Sequence, residues 1–275
     1  MRKDYIFMGN LPGVFSAKTK SGKLYFRSSI TYQRKHISLG SYAIKEEAHQ
    51  AYLKASQILN CDNLHYKIDQ FKMHGCPLSF DKLVMLINLK DNGMYCRNPI
   101  YLKSKYFLYY LDVHTPLKFD VDDLFYFMEH KIMCRGGHLF VAEYGMQINV
   151  LSRFGIKNYA VAGRDFRFIN GDTYDFRYQN IQIINRYHGV VKEVKKGKEL
   201  YCSKIHINGD FIIGRYPTEV EAAIAYNKAA NLLCTKGIKK DFPKNYIDSC
   251  NEIEYAKTYN ALRISKKLRN LEVNT

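Results

Sequence analysis

Polar side chains recur at every second position in two short runs of the chain. In the first, Arg27, Ser29 and Thr31 alternate with Phe26, Ser28 and Ile30; in the second, Cys202, Lys204 and His206 alternate with Tyr201, Ser203 and Ile205. A period of two puts each set on one face of a β-strand, with the more apolar set turned inward. The outward set then offers guanidinium, hydroxyl, ammonium and imidazole groups, which bond base edges and phosphate oxygens. His36 and Ser38 are expected to join the first face from the next strand, with Arg34 and Lys35 just ahead of them. Around the second run, Lys192, Lys195, Lys196, Lys198 and Arg215 fit phosphate contacts, which position a protein without reading sequence. The chemistry on offer is the grasp of a polyanion. Whole-chain charge agrees: 42 Lys and Arg against 26 Asp and Glu leave +16, a field that attracts nucleic acid and weakens as salt rises. An acidic membrane surface is the other polyanion such a charge could meet.

Other chemistries find little support. Seven cysteines, Cys61, Cys76, Cys96, Cys134, Cys202, Cys234 and Cys250, stand singly with no C-x-x-C pair, so neither a disulfide framework nor a zinc knuckle is indicated and no cofactor is expected. A hydrophobic content of 47% with 25% charged residues is that of an ordinary globular protein. No apolar run approaches the roughly 18 residues of a spanning helix. The start MRKDYIFMGNLPGVF has no adequate apolar stretch or small-residue cleavage site, so a cytoplasmic setting is expected. At 275 residues the chain has room for two or three modules.

The elements that must position these residues form a repeat. Near the start stand Gly13-Val14, a basic loop from Lys18 to Lys23, Leu24-Tyr25, and Leu39-Gly40-Ser41-Tyr42. Near the end stand Gly189-Val190, a basic loop from Lys192 to Lys198, Leu200-Tyr201, and Ile213-Gly214-Arg215-Tyr216. After each comes a helical stretch in which Glu47-Ala48, Ala51-Tyr52 and Lys54-Ala55 correspond to Glu221-Ala222, Ala225-Tyr226 and Lys228-Ala229. Each copy reads as three strands and a helix. Asn208-Gly209 predicts a type I′ hairpin turn in the second, with the same turn near Gln33-Arg34 in the first. Thr218 with Glu221 forms a capping box that starts the helix near Glu219, and Ala222, Tyr226, Ala229 and Leu233 make its apolar stripe.

The run from Gly189-Val190 through IHINGDFIIGRYPTEVEAAIAYNKAA to Asp241-Phe242-Pro243 resembles the APETALA-type (AP-two) DNA-binding domain of plant regulators, phage integrases and homing endonucleases. The first copy resembles it less closely, best in SYAIKEEAHQAYLKA. The resemblance implies a three-stranded sheet laid in the major groove of double-stranded DNA, with Arg27, Ser29, Thr31, Lys204 and His206 approaching bases or phosphates. The chain departs from the plant pattern in having no tryptophan and in carrying Asp210 and Ile212 at outward third-strand positions, so a base code does not transfer.

Between the copies, Arg167-Phe168-Ile169-Asn170-Gly171-Asp172, then Asp175, Arg177 and Asn180-Ile181-Gln182, resemble the core of HNH homing endonucleases, written D-H-I-N-G-D, D-N-R, N-L-R. That core needs a histidine to deprotonate water and an adjacent Asp or His to hold a divalent metal. Phe168 and Arg167 stand there instead: a phenyl ring accepts no proton and a guanidinium ligates no cation. The upstream histidine position is Ser152. Arg167 reads either as a phosphate contact in place of the metal or as a surface arginine, with Arg153, Arg164, Arg177 and Arg186 adding charge nearby; Asn180, Gly171 and Asp175 read as fold-maintaining. A nuclease built on His130, His138 or His188 instead would lack the motif's spacing.

Further expectations concern the remaining segments. Phe80–Asn88 reads as a helix in a connector, Phe119–Phe127 as a short helix capped by Asp120, Leu139–Val150 as a hairpin around Tyr144-Gly145, and Asn251–Leu271 as a basic helical tail that packs on its own domain, dimerises or lies along phosphates. The reading is an α+β chain of two three-stranded-sheet-plus-helix modules flanking a degenerate ββα-metal (HNH-like) domain, with divisions 1–66, 67–97, 98–186, 187–248 and 249–275. The expected function is sequence-specific binding of duplex DNA at two half-sites, as a homing-endonuclease-derived repressor of phage or mobile-element origin that does not cut, possible as a homodimer. The rivals are an active metal-dependent nuclease and a competitor that masks a nuclease target.

Overall fold

A computed structural model describes residues 11–61, 68 and 75–271; the first ten residues of the start sequence and the expected boundary at residue 66 lie outside them. The chain is α+β and separates into two compact units, one running to Val150 and including Asp172–Tyr178, the other holding Leu151–Gly171 and everything from Gln179 onward. The central segment contributes to both.

In the first unit β1 (Val14–Lys18), β2 (Leu24–Tyr32) and β3 (Lys35–Tyr42) form an antiparallel sheet in that order, followed by α1 (Lys45–Asn60). In the second, β12 (Val190–Lys195), β13 (Lys198–His206), β14 (Asp210–Tyr216) and α4 (Glu219–Thr235) repeat the plan. Three devices recur in both. A bulge leaves Leu39 and Ile213 without register partners, between the pairs Ser28↔Gly40 and Ser29↔Ser38 in one copy and Ser203↔Gly214 and Lys204↔Ile212 in the other. The bulge turns Leu39 and Ile213 into the core while Ser38 and Ile212 stay outside. Next, Gly13 and Gly189 take positive φ, accept the Ser29 and Lys204 N–H groups at 3.0 and 2.7 Å, and lie under the rings of Tyr52 and Tyr226 on the helices. Third, Gly40 and Gly214 face the hydroxyl ends of Tyr42 and Tyr216, where a Cβ would intrude. The register aligns Tyr25-Phe26 with Leu200-Tyr201, one residue from the Leu24/Leu200 match suggested by the letters.

The helices pack by their small residues. Ala48, Ala51 and Ala55 of α1 are fully buried, as are Ala222, Ala229 and Leu233 of α4, with Tyr226 nearly so. Thr218 Oγ1 accepts the Glu221 N–H and starts α4 at Glu219. The Gln33-Arg34 turn has positive φ at both residues, as type I′ requires. Asn208-Gly209 does not: neither φ is positive, and three residues separate His206 from Asp210. The type I′ turn of the second copy is instead Lys196-Gly197, so Lys192 and Lys195 belong to a strand and not to a basic loop. The β-branched Val190, Val191 and Val194 favour the extended backbone of that strand.

The helix expected at Phe80–Asn88 runs one turn further, α2 (Phe80–Asn92), from an Ser79 cap to Gly93 in the left-handed region. Its Leu83, Val84, Leu86 and Ile87 share one core with Ala51, Ala55 and Ile58 of α1. Beyond it come the meanders β4 (Ile100–Leu102), β5 (Tyr106–Tyr110), β6 (Pro116–Asp120) and β7 (Ile132–Arg135), β8 (His138–Glu143), β9 (Met146–Asn149), separated by a 3-10 turn and α3 (Leu124–Glu129). Phe119 therefore lies in a strand instead of opening a helix. Its ring stacks between Phe107 and Phe176 and touches Phe127, and this aromatic packing overrides the local helical pattern. The Tyr144-Gly145 hairpin turn is present, with positive φ at both residues.

The tail forms α5 (Glu252–Ala261) and α6 (Lys266–Arg269) and packs on its own domain, with Ile264 and Leu268 buried in the core of α4 and the second sheet.

Candidate nucleic-acid interface

Side-chain direction follows the register. On the first sheet, Arg27 opposite Ser41, Thr31 opposite His36, and Ser38 are exposed on the face away from α1. Ser29 is on this face but only 8% exposed. A two-atom side chain at the centre of the middle strand is shaded by its longer neighbours, so it does not reach outward as expected. Arg34 sits in the turn, exposed. Lys35 pairs with Tyr32 and places its Nζ 4.5 Å over the Tyr95 ring, off the outward face.

On the second sheet the outward face carries Glu193, Lys204, His206, Asp210, Ile212 and Arg215, with Lys195 and Lys198 at the turn end. Cys202 belongs to the same face but is fully buried, because Glu193 and Arg215 close over it. Burial, then the Glu193 carboxylate, pushes its thiol pKa up. Lys192 lies on the opposite face and is ion-paired with Glu199 at 2.8 Å.

Each sheet holds one arginine at the cross-strand pair next to the bulge: Arg27 of Arg27↔Ser41 and Arg215 of Cys202↔Arg215. Each is held by a polar group two register positions away on the same face. Arg27 Nε and Nη2 donate to Tyr25 Oη at 3.1 and 2.7 Å, and Arg215 Nε donates to Glu193 Oε2 at 3.0 Å. The Arg215 bond holds the Glu193 carboxyl below its ordinary pKa. Lys204 Nζ reaches the same carboxylate at 3.9 Å, and His206 Nδ1 bonds Asp210 Oδ1 at 2.8 Å. Pairs this exposed add little stability; what they supply is orientation, leaving part of each guanidinium fork directed to solvent. Glu193 and Tyr25 were missed as face residues in the sequence, although the alternation of Val190–Lys195 carries the signal for Glu193.

In the central segment, β10 (Phe166–Phe168) pairs with β11 (Ile181–Ile183). Asn180 closes the intervening loop: its Oδ1 accepts the Asn170 N–H at 2.9 Å and its carbonyl the Ile169 N–H at 2.7 Å. Among the described residues no helix directly follows β11, where the expected ββα-metal fold would place one. The chain passes from β11 into β12, where the positive-φ Gly189 and the valines impose a strand. Arg167 is exposed on β10 and donates from Nε to Gln182 Oε1 at 2.7 Å, and Phe168 packs edge-on against Phe166. Arg153 is exposed in a 3-10 turn, as is Ser152. Arg177 is engaged elsewhere: it makes two bonds, 2.8 and 2.6 Å, to the fully buried Asp175 and stacks over Tyr106. Asp175→Ala would leave that guanidinium uncompensated, and unfolding of the first unit in urea should then show a loss of about 3 kcal/mol; an unchanged midpoint would deny the pair a structural role. The three histidines stand apart from this loop's chemistry: His130 stacks on Tyr126, His138 is exposed on β8, and His188 lies between Tyr159 and Tyr226, where burial and then Arg164 lower its pKa. Among the described residues no three His, Cys, Asp or Glu side chains gather as metal ligands, and no helix is long and apolar enough to cross a membrane.

No protein-family model matches the chain, and no curated protein and no solved structure matches it.

Proposed function

We propose that the chain binds duplex DNA in a sequence-specific manner through the outward faces of its two repeated sheets and leaves the strands intact. The observation that carries this reading is an oriented arginine in the equivalent cross-strand pair of both modules, Arg27 on the middle strand held by Tyr25 and Arg215 on the third strand held by Glu193. A guanidinium pre-set in this way meets the geometry of a guanine edge, whose O6 and N7 accept a bidentate fork, and it loses little conformational freedom on binding. Two modules on one chain raise each other's effective concentration, so modest half-site contacts suffice for tight binding. The intact-strand part of the reading rests on Phe168 and Arg167, which can neither take a proton from water nor hold a cation at the positions where the HNH resemblance puts those roles. Blocking transcription is the simplest use of a site that is held and not cut.

Selection of bound fragments from a random duplex pool tests the reading, followed by incubation of supercoiled plasmid bearing the selected site with Mg²⁺ or Mn²⁺. The expected result is enrichment of a composite motif with no nicking. Binding without sequence preference would overturn the specific part in favour of simple masking. Cleavage abolished by a substitution in the segment 166–183 would overturn the rest.

A further inference from the structure

On the second sheet Lys204 and Arg215 share Glu193, His206 faces Asp210, and Lys192 faces Glu199, while Lys195 and Lys198 at the turn end form no ion pair among the described residues. On the tail the two acids, Glu252 and Glu254, stand in the first turn of α5, and from Tyr255 to Leu271 there are five cations, Lys257, Arg263, Lys266, Lys267 and Arg269, and no acid. All five are exposed, and none forms an ion pair among the described residues.

The tail is nonetheless firmly seated. Lys228 Nζ donates to the carbonyls of Tyr259, Asn260 and Leu262 at the end of α5, and Lys236 Nζ to those of Arg269 and Leu271 at the end of α6. Tyr216 Oη donates to the Arg263 carbonyl at 2.8 Å. The Ser265 N–H bonds, also at 2.8 Å, to the carbonyl of Ile213, the residue the bulge leaves without a partner. These bonds fix α6 beside the outer strand of the candidate reading sheet, where Lys266 and Lys267 rim an open depression with Phe211 and Asn270. Phe211 is level with Ile205 on β13, whereas Lys195 and Lys198 mark the opposite end of that strand. At about 3.3 Å per residue the two ends are roughly 23 Å apart, wider than the about 12 Å opening of the major groove. Uncompensated charge thus brackets the sheet beyond the reach of base edges.

We infer that the tail is a phosphate-gripping element: Lys266 and Lys267 contact the backbone of duplex DNA on the side of the sheet opposite the Lys195–Lys198 turn. The inference rests on the duplex-binding reading above. It differs from it in assigning a contact that no sequence-specific surface supplies.

The full chain and its K266Q/K267Q variant are titrated over a range of salt concentrations on two duplexes, one carrying a selected site and one of random sequence, with circular dichroism confirming equal folding. Removing two phosphate contacts should make the slope of log K against log salt shallower by about 1.8, a loss of roughly 60-fold near 0.1 M salt, by the same factor on both duplexes. A wild-type chain that binds with a steep slope while the variant keeps slope and affinity overturns the tail assignment alone. A loss confined to the selected site overturns it too, since the lysines would then be reading bases. A wild-type chain that binds neither duplex overturns the tail assignment and the reading beneath it together.

Discussion

Gly189→Ala should cost the second unit on the order of 2–5 kcal/mol, more than any exposed substitution. Gly189 has φ +71°, where an L-residue is strained by about 1–2 kcal/mol. An added Cβ would lie 2.4 Å from the Lys204 carbonyl oxygen and 2.5 Å from the Tyr226 ring. Neither can yield easily, because the Lys204 N–H is bonded to Gly189 itself and Tyr226 is buried beneath the helix; overpacking of this kind adds about 1–3 kcal/mol. Gly197→Ala is the control. Its φ is +74° but nothing lies within 4 Å of its Cβ position, so only the strain of about 1–2 kcal/mol remains. Gly13→Ala, which meets Tyr52 in the same way, should follow Gly189→Ala. Urea unfolding followed by tyrosine fluorescence, with no tryptophan in the chain to mask it, separates the three. Equal costs at Gly189 and Gly197 would mean that the strand and helix do not meet at Gly189 as described.

Replacing both oriented arginines, Arg27→Ala with Arg215→Ala, should have the largest effect on DNA affinity. Each bidentate base contact discriminates by about 1–3 kcal/mol, or roughly 5- to 150-fold. The two lie in separate modules, so their losses should nearly add. The loss should appear on the selected duplex and be small on random sequence, the reverse of the tail variant. Arg→Lys at either position should not rescue, because an ammonium lacks the planar fork. Equal losses on both duplexes would reduce the arginines to phosphate contacts, and no loss would remove these faces from the interface.

How far each feature could be read ahead of the structure depends on how local its cause is. The paired three-strand-and-helix plan was legible because alternation, the Thr218 cap and the alanine stripe of α4 are local patterns. The Gln33-Arg34 turn was legible as a position between two runs. The Asn208-Gly209 turn was misread, since a two-residue turn is set by the register of its strands, and here three residues close the loop while Lys196-Gly197 takes the type I′ geometry. Phe119 was misread for a related reason: its ring is held by Phe107, Phe127 and Phe176, the last of them 57 positions away, counting from Phe119 to Phe176.

At the candidate interface the sequence by itself determined which residue types were available and, through a period of two, which strand faces they shared. Tertiary structure decided which of them are presented. It shaded Ser29, sealed Cys202 under Glu193 and Arg215, withdrew Lys35 to Tyr95 and Arg177 to Asp175, and set the tail's lysines beside β14. The division has one physical cause. Backbone direction comes from neighbours in the chain, whereas exposure, ion pairing and the orientation of a long charged side chain depend on groups that only the folded register brings within reach.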